Sequence, residues 1–198
     1  MSNEAIKNAD SPRKRGPRKD AERNRERVME AARRAVAQHG LDASYHHIAA
    51  LAGVGVGTVY RRYPDRNDLL RAIVLDILVE LTNLADKGRN NLDIWAGFSE
   101  FFSQLVLRFS QNAGLSDRLA ERGGASVQKA REGLIFAIER LCERARTDGL
   151  RSEIAWHDII YLANGAGARN CAFNIQIDPK QQAVAVDIIL AGLRNYSP

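Results

Sequence analysis

Helical periodicity runs through almost the whole chain and is the feature that most constrains its fold. Apolar residues recur at steps of three and four from Val28 to Leu193, and no segment shows the two-residue alternation of a half-buried strand. Glycine and proline interrupt the periodic segments, which predicts helices joined by short turns. The sequence therefore predicts an all-α protein, and it contains no internal repeat.

The same pattern divides the chain into three regions. Residues 1–19 are polar and lack apolar periodicity, so we predict a disordered arm. Residues 20–66 are predicted to form a head of short helices, and residues 67–198 a helical body. Helices are predicted at about 20–39, 44–53, 55–63, 65–88, 92–112, 116–122, 127–147, 154–171 and 180–195.

Positive charge is concentrated in the first third of the chain. Residues 1–66 carry 14 Lys and Arg against 8 Asp and Glu, whereas residues 67–198 carry 15 against 16. A localised basic region is the electrostatic footprint of a polyanionic partner, because neutralised phosphates release counterions. A soluble surface with a basic tail would give the same totals, so charge alone leaves both interpretations open.

Several classes of protein are disfavoured by composition and motif. Two cysteines, Cys142 and Cys171, are too few for a disulfide scaffold and indicate a reducing cytoplasm. No apolar stretch is long enough to cross a bilayer or to form a signal peptide. The sequence contains no HExxH, GxSxG or P-loop motif, and the adjacent His46 and His47 would point apart on a helix. We therefore expect neither an enzyme, a metal site nor a cofactor.

Residues 44–63 have the pattern of a helix-turn-helix. Ala49 is small enough for two helices to approach closely, and Gly53 can supply the positive φ of a tight turn between them. Ile48, Val54 and Val59 would provide the apolar contacts that hold the pair together. The second helix would then present its polar side to a major groove.

That second helix carries side chains suited to DNA. Thr58 offers a hydroxyl and a methyl group, and Tyr60 and Tyr63 can donate hydrogen bonds to phosphate. Arg61 and Arg62 can bind phosphate or the O6 and N7 atoms of guanine. An alternative for Tyr63 is that its ring packs in the core beneath the turn.

This region resembles the TetR family of bacterial regulators. The matching residues are Val28, Ile48-Ala49, Ala52-Gly53-Val54, Gly57-Thr58-Val59-Tyr60, Tyr63-Pro64, Arg66 and Leu69-Leu70. The resemblance implies a DNA-binding helix-turn-helix head, a homodimer formed by the last two helices, and a ligand cavity in the body.

The resemblance also implies where phosphate is contacted, namely at Ser44, Thr58, Tyr60 and Arg66. Further candidates for base or phosphate contact are Tyr45, Arg61 and Arg62. The family usually has serine where Gly55 stands, so a hydroxyl contact is missing there. Gly55 would instead allow backbone N–H groups to approach the phosphates.

The basic arm is a second candidate DNA-binding element. Arg13, Arg15 and Arg18 surround Gly16-Pro17. Such an arm either lies in an A·T-rich minor groove or attracts phosphate without a fixed position. In the first case, deleting residues 1–19 should weaken DNA binding and flatten its salt dependence.

The body is predicted to hold the dimer interface and an effector site. The last helix is apolar on more than one stripe, so one side can meet a second copy of the chain. The predicted interface residues are Ile159, Ala163, Val186, Ile189, Leu190 and Leu193. The predicted effector-binding residues are Trp95, Phe98, Phe102 and Asn164. The alternative for the aromatic residues is that they form the core.

Together these features predict a sequence-specific transcriptional regulator that binds a palindromic operator as a homodimer. On the family analogy it would be a repressor whose DNA affinity falls when a small-molecule effector binds. The helix that begins near Arg66 would join head to body and act as the lever. The alternative is a non-specific architectural DNA-binding protein, for which the large apolar body would be unnecessary.

Overall fold

The computed structural model describes residues 17–40, 43–111, 124–167, 171–172, 175–176 and 178–195. Helices dominate these residues, which confirms the all-α prediction. The helices are α1 (Pro17–His39), α2 (Tyr45–Ala52), α3 (Val56–Arg62), α4 (Arg66–Arg89), α5 (Ile94–Gln111), α6 (Gly124–Arg146), α7 (Trp156–Gly167) and α8 (Pro179–Leu193). A minimal antiparallel hairpin joins α7 to α8 through β1 (Cys171–Ala172) and β2 (Ile175–Gln176).

Three helix ends predicted in the head, at Ser44, Gly53 and Asp65, are confirmed. The Ser44 side chain caps α2 by accepting a hydrogen bond from the His47 backbone N–H at 3.1 Å. Gly53 closes α2 with φ 62°, a left-handed conformation that an L-residue with a Cβ adopts only at a cost. Asp65 caps α4 by accepting from the Asn67 N–H at 2.9 Å. Local turn chemistry thus sets the positions of α2, α3 and α4.

Several predicted helix boundaries in the body differ from those observed, among them the following two. The helix predicted over 154–171 ends at Gly167, and Cys171 belongs to β1 instead. The helix predicted to stop at Gly88 continues to Arg89. Gly88 does not end α4; its missing side chain allows α5 to pack closely against α4. A Cβ on Gly88 would lie 2.6 Å from the Gly97 carbonyl oxygen. The short helix predicted near 116–122 and most of the N-terminal arm lie outside the described residues.

Two hydrophobic cores organise the described residues. The head core packs α1, α2 and α3 against the first two turns of α4, with small side chains such as Ala32 and Ala35 and larger ones such as Ile48. The body core is built on the aromatic residues of α5, with α4, α6, α7 and α8 packed around them. The side chain of Ile77 on α4 packs against both cores. Helix α4 therefore connects the two units physically.

The end of α8 is fastened to the turn that follows α6. The Arg151 N–H donates to the Leu193 carbonyl at 3.1 Å, and the Asn195 N–H donates to the Gly149 carbonyl at 2.7 Å. The Arg194 guanidinium lies over the Trp95 ring, 4.8 Å from its centroid. None of the described helices is both long and apolar enough to cross a membrane.

Candidate nucleic-acid interface

Helix α3 has its apolar side inside the head and its remaining sides outside. Gly55 precedes it in an extended conformation, and the Thr58 N–H closes the first turn on the Gly55 carbonyl at 2.8 Å. Val59 is completely buried in the head core. The rest of this seven-residue helix is exposed or half-buried. This is the orientation that the helix-turn-helix pattern predicts.

Two of the predicted DNA-contacting tyrosines support α3 from inside the head, and this corrects the prediction for both. Tyr45 is only 7% exposed, and its hydroxyl donates a hydrogen bond to the Tyr63 carbonyl at 2.8 Å. Burial raises the pKa of the Tyr45 phenol above its usual 10.0, so the hydroxyl keeps its proton. Tyr63 is equally buried in the head core, as the alternative for this residue anticipated.

The outward side of α3 combines one aromatic and two basic side chains. Tyr60 is 51% exposed, and its ring packs edge-on against Tyr45 with centroids 4.7 Å apart. Arg61 and Arg62 are exposed, and the Arg62 guanidinium carbon lies 5.8 Å from the centroid of the Tyr63 ring. The buried tyrosines therefore support α3 from inside, while the exposed side chains of α3 can contact a ligand.

A cleft of about 330 Å³ lies between α1 and the exposed side of α3. It is lined by Ala21, Asn24, Arg25, Val28, Thr58, Arg61 and Arg62. Asn24 and Arg25 were not predicted as candidates. Their signal in the sequence is the alternation of arginine and polar residues at the start of α1, which also fits an ordinary solvated face. Arg25 forms a 2.9 Å ion pair with Glu22, so a phosphate in the cleft would compete with that carboxylate.

The flanking candidates surround α3 at both ends. Ser44 is exposed, and because its oxygen accepts from His47, its O–H remains a donor. Arg66 is half-buried in the first turn of α4. A Cβ built on Gly55 or on Gly57 would meet no atom within 4 Å, so open space lies beside both glycines. That space permits a phosphate to approach the backbone as predicted.

Most of the predicted basic arm lies outside the described residues. Arg13 and Arg15 lie outside the described residues, and Arg18 falls in the first turn of α1. The helix therefore starts earlier than the predicted Asp20. Whether the arm contacts DNA stays a prediction.

The family model for bacterial regulatory proteins of the tetR family matches residues 28–73. The matched span runs from α1 through the first part of α4, which is the unit that presents α3. Residues 28–73 of this chain are therefore similar to the TetR family of bacterial regulatory proteins.

Solved structures of the family share the fold along most of the chain. A TetR transcription regulatory protein from Mycobacterium vanbaalenii superposes with a TM-score of 0.70 at 27% identity, covering 91% of this chain and 100% of that one. A TetR transcriptional regulator from Streptomyces coelicolor gives 0.68 at 25%, covering 87% and 99%. The regulator LfrR from Mycobacterium smegmatis, solved with proflavine, gives 0.68 at 23%, covering 88% and 96%.

Curated relatives match over a shorter span. An HTH-type transcriptional regulator of Staphylococcus aureus strain USA300 is 33% identical over 82 residues, which are 39% of this chain. The chain spans 44% of the length of that relative. The span matched by the family model, residues 28–73, lies in the head.

The predicted effector-binding residues differ in their burial. Phe98 and Phe102 are completely buried in the body core. Trp95 is half-buried under Arg194, with its ring centroid 5.4 Å from that of Phe98. Asn164 is exposed on α7. Asn164 lies opposite the face of α7 that packs on the body, the two phenylalanines fit the core alternative, and the effector site stays a prediction.

The predicted dimer residues lie on α7 and α8, mostly on the faces that these helices turn toward the core of their own chain. Ile159, Ala163, Val186 and Leu193 are buried within their own chain, and Ile189 and Leu190 are half-buried. The exposed apolar residues of these helices are instead Tyr161 (78%), Val184 (57%) and Ile188 (66%). The sequence could not place these residues, because both helices are apolar on two faces and periodicity does not say which face meets the body core.

Proposed function

We propose that this chain is a sequence-specific DNA-binding transcriptional regulator that inserts α3 into the major groove. One observation carries the proposal: α3 is fixed from inside by Tyr45 and Val59 while Tyr60, Arg61 and Arg62 face outward. A rigid backbone with exposed donors is what base reading requires, since misplaced donors lose their bidentate geometry. The match of residues 28–73 to the family model for bacterial regulatory proteins supports the same proposal.

The cleft beside α3 supplies the contacts that position the helix. Arg25 and Asn24 come from α1 and Thr58 from α3, so a phosphate between the two helices would bind both at once. Ser44 and Arg66 would contact the backbone on either side. These contacts orient the protein and carry no sequence information, whereas Arg61 is the best candidate for reading a base edge.

Dimerisation is the second part of the proposal. Tyr161, Val184 and Ile188 expose apolar side chains on α7 and α8, two helices that pack against each other. A self-complementary contact through these helices would place two α3 helices on one face of the DNA. The operator would then be a palindrome with half-sites one helical turn apart, about 34–36 Å.

Repression and effector response complete the proposal. A ligand in the body that favours a different separation of the heads would lower operator affinity. The structural similarity to LfrR, which was solved with proflavine bound, supports a small-molecule site in this fold. A panel of small molecules that includes proflavine can be screened with the protein alone. A bound ligand raises Tm, because at 100 times its Kd it adds about 2.7 kcal/mol to the free energy of unfolding.

The proposal is tested by selecting duplexes from a random library with the full-length chain. We expect an enriched palindrome, and Arg61→Ala should lose it. Arg140→Ala is the matched control, because Arg140 is also exposed but lies on α6, over the Phe136 ring. Retention of random duplexes without enrichment would favour the architectural alternative and contradict sequence-specific regulation.

A further inference from the structure

Glu80 lies where the two cores meet. Ile77, one turn earlier on α4, packs against both the head core and the body core. The two carboxylate oxygens of Glu80 bind arginines from opposite sides of this junction. Oε2 accepts a hydrogen bond from Arg33 Nη1 of α1 at 2.9 Å, and Oε1 accepts one from Arg108 Nη2 of α5. A single carboxylate thus joins a helix of the head to a helix of the body.

Both arginines make further contacts that fix their direction. The other terminal nitrogen of Arg33 binds Asp76, one turn before Glu80 on the same face of α4. The Nη1 atom of Arg108 donates to Gln111 Oε1 at 2.9 Å. The side chains of Arg33, Arg108 and Glu80 are 20%, 22% and 31% exposed. Ion pairs that are this shielded are screened by salt less than those on an open surface.

The charge state of Glu80 is consistent with this bridge. Burial alone would raise the pKa of the Glu80 carboxyl, but hydrogen bonds from Arg108 and Arg33 outweigh it and hold the pKa below the usual 4.5. The carboxylate is therefore ionised at neutral pH, and both arms of the bridge are charge-assisted.

We propose that Glu80 is a positioning residue that fixes the head relative to the body and thereby sets the separation of the two α3 helices in the dimer. Arg33 lies on α1 among the residues that pack on α2, so a shift of α1 carries α3 with it. The bridge acts on geometry between heads and touches no DNA. This inference rests on the proposed function, because spacing matters only if two heads bind one duplex.

The consequence is specific to spacing. Without the bridge each head should still bind a half-site, since Glu80 lies beyond Ile73, the last fully buried residue of the head core. The two heads should, however, tolerate a wider range of half-site separations. A residue that only stabilised the fold would not change this preference.

The experiment compares binding to duplexes of different spacing. The probes are the duplex selected by the wild-type chain, the same duplex with one or two base pairs inserted between half-sites, and an isolated half-site. We expect the wild type to lose roughly fivefold or more in affinity per insertion, within the usual range of coupling between sites. The spacing ratio is the affinity for the selected duplex divided by the affinity for the duplex with an insertion. Glu80→Gln should bring this ratio close to one while leaving half-site affinity unchanged.

Matched variants separate the bridge from a general effect of charge. Asp86→Asn removes a carboxylate from the same helix, but Asp86 pairs with Arg89, at 3.7 Å within α4, and should keep the wild-type ratio. Arg33→Gln cuts the head arm and Arg108→Gln cuts the body arm. Each should lower the ratio, and combining either with Glu80→Gln should add little, because all three residues belong to one network.

The outcomes are distinct. A folded Glu80→Gln variant with the wild-type spacing ratio overturns the inference, and if that variant does not fold, Arg33→Gln decides in the same way. An equal effect of Asp86→Asn also overturns it. A wild-type chain that enriches no duplex refutes the proposed function, whereas an enriched duplex bound without spacing preference refutes the positioning role alone.

Discussion

The head and the body differ in the side chains that they leave exposed. The head exposes Tyr60, Arg61 and Arg62 on α3, whereas the body exposes Tyr161 and Ile188 on α7 and α8. Exposed cations next to a cleft suit a polyanion, and exposed apolar side chains on two packed helices suit another protein surface. The two units are made of similar amphipathic helices, so their exposed faces, and not their cores, indicate what each unit binds.

The largest expected effect comes from placing a charge on the exposed apolar face of the body. Ile188→Asp should dissociate the dimer, because a symmetric interface would bury an unpaired carboxylate twice, at roughly 3–5 kcal/mol each. The monomer should stay folded, since Ile188 is 66% exposed. Sedimentation velocity measures the oligomeric state. Leu92→Asp is the control, because Leu92 is almost fully exposed and lies between α4 and α5; an unchanged dimer in Ile188→Asp would refute the proposed face.

The next effect contrasts one substitution in the two units. Gly97→Ala in the body should lower the free energy of unfolding by about 1–3 kcal/mol, because its Cβ would meet the Gly88 carbonyl oxygen. That oxygen would be 2.3 Å away. Gly57→Ala in the head should be neutral or stabilising by up to about 1 kcal/mol, since it lies in a helix with open space beside it. Urea unfolding measures both, and equal effects would contradict the packing described.

A smaller effect is expected on the exposed face of the head. Arg61→Ala should weaken binding to the selected duplex by about 1–3 kcal/mol if Arg61 reads a base. Its stability should not change, because the side chain is exposed. Fluorescence anisotropy gives the affinity, with Arg140→Ala as the control. An equal loss on random and selected duplexes would assign Arg61 to phosphate instead.

The smallest effect concerns the junction between the two units. Because the pKa of Glu80 is lower in the folded protein than its usual 4.5, the bridge stabilises the fold above that pH. Its contribution should be lost as pH falls through the lowered pKa. Wild type and Glu80→Gln should therefore differ by about 1 kcal/mol or less at pH 7 and converge as pH falls through the lowered pKa. Urea unfolding across this range measures the difference, and a gap that widens in acid would contradict the assigned charge state.

The head could be predicted closely from the sequence because its turns depend on single residues. Gly53, Ser44 and Asp65 each fix a helix end by local geometry that no distant contact alters. Tyr45 and Tyr63 were misassigned because a tyrosine can fill a core and still donate a hydrogen bond. Only the packing of α2 against α3 shows that the Tyr45 hydroxyl is already bound to the Tyr63 carbonyl.

In the body, the sequence predicted the helices but not which of their faces are buried and which are exposed. Ile159 and Tyr161 are two residues apart on a helix that is apolar on both sides, and only the packing on α5 shows that Ile159 is inside. The bridge at Glu80 had no local signal, because Arg33 is 47 residues before it and Arg108 is 28 residues after it. Contacts at such separations depend on how the helices cross, which periodicity does not encode.

The central claim is that the exposed side of α3 reads base sequence. The most direct test measures the affinity of the full-length chain for its selected duplex and for a scrambled duplex of the same length, at physiological salt. We predict that the selected duplex is preferred over the scrambled one by roughly 10³-fold or more. A preference close to one would contradict it, since the cationic surface would then attract phosphate without reading any base.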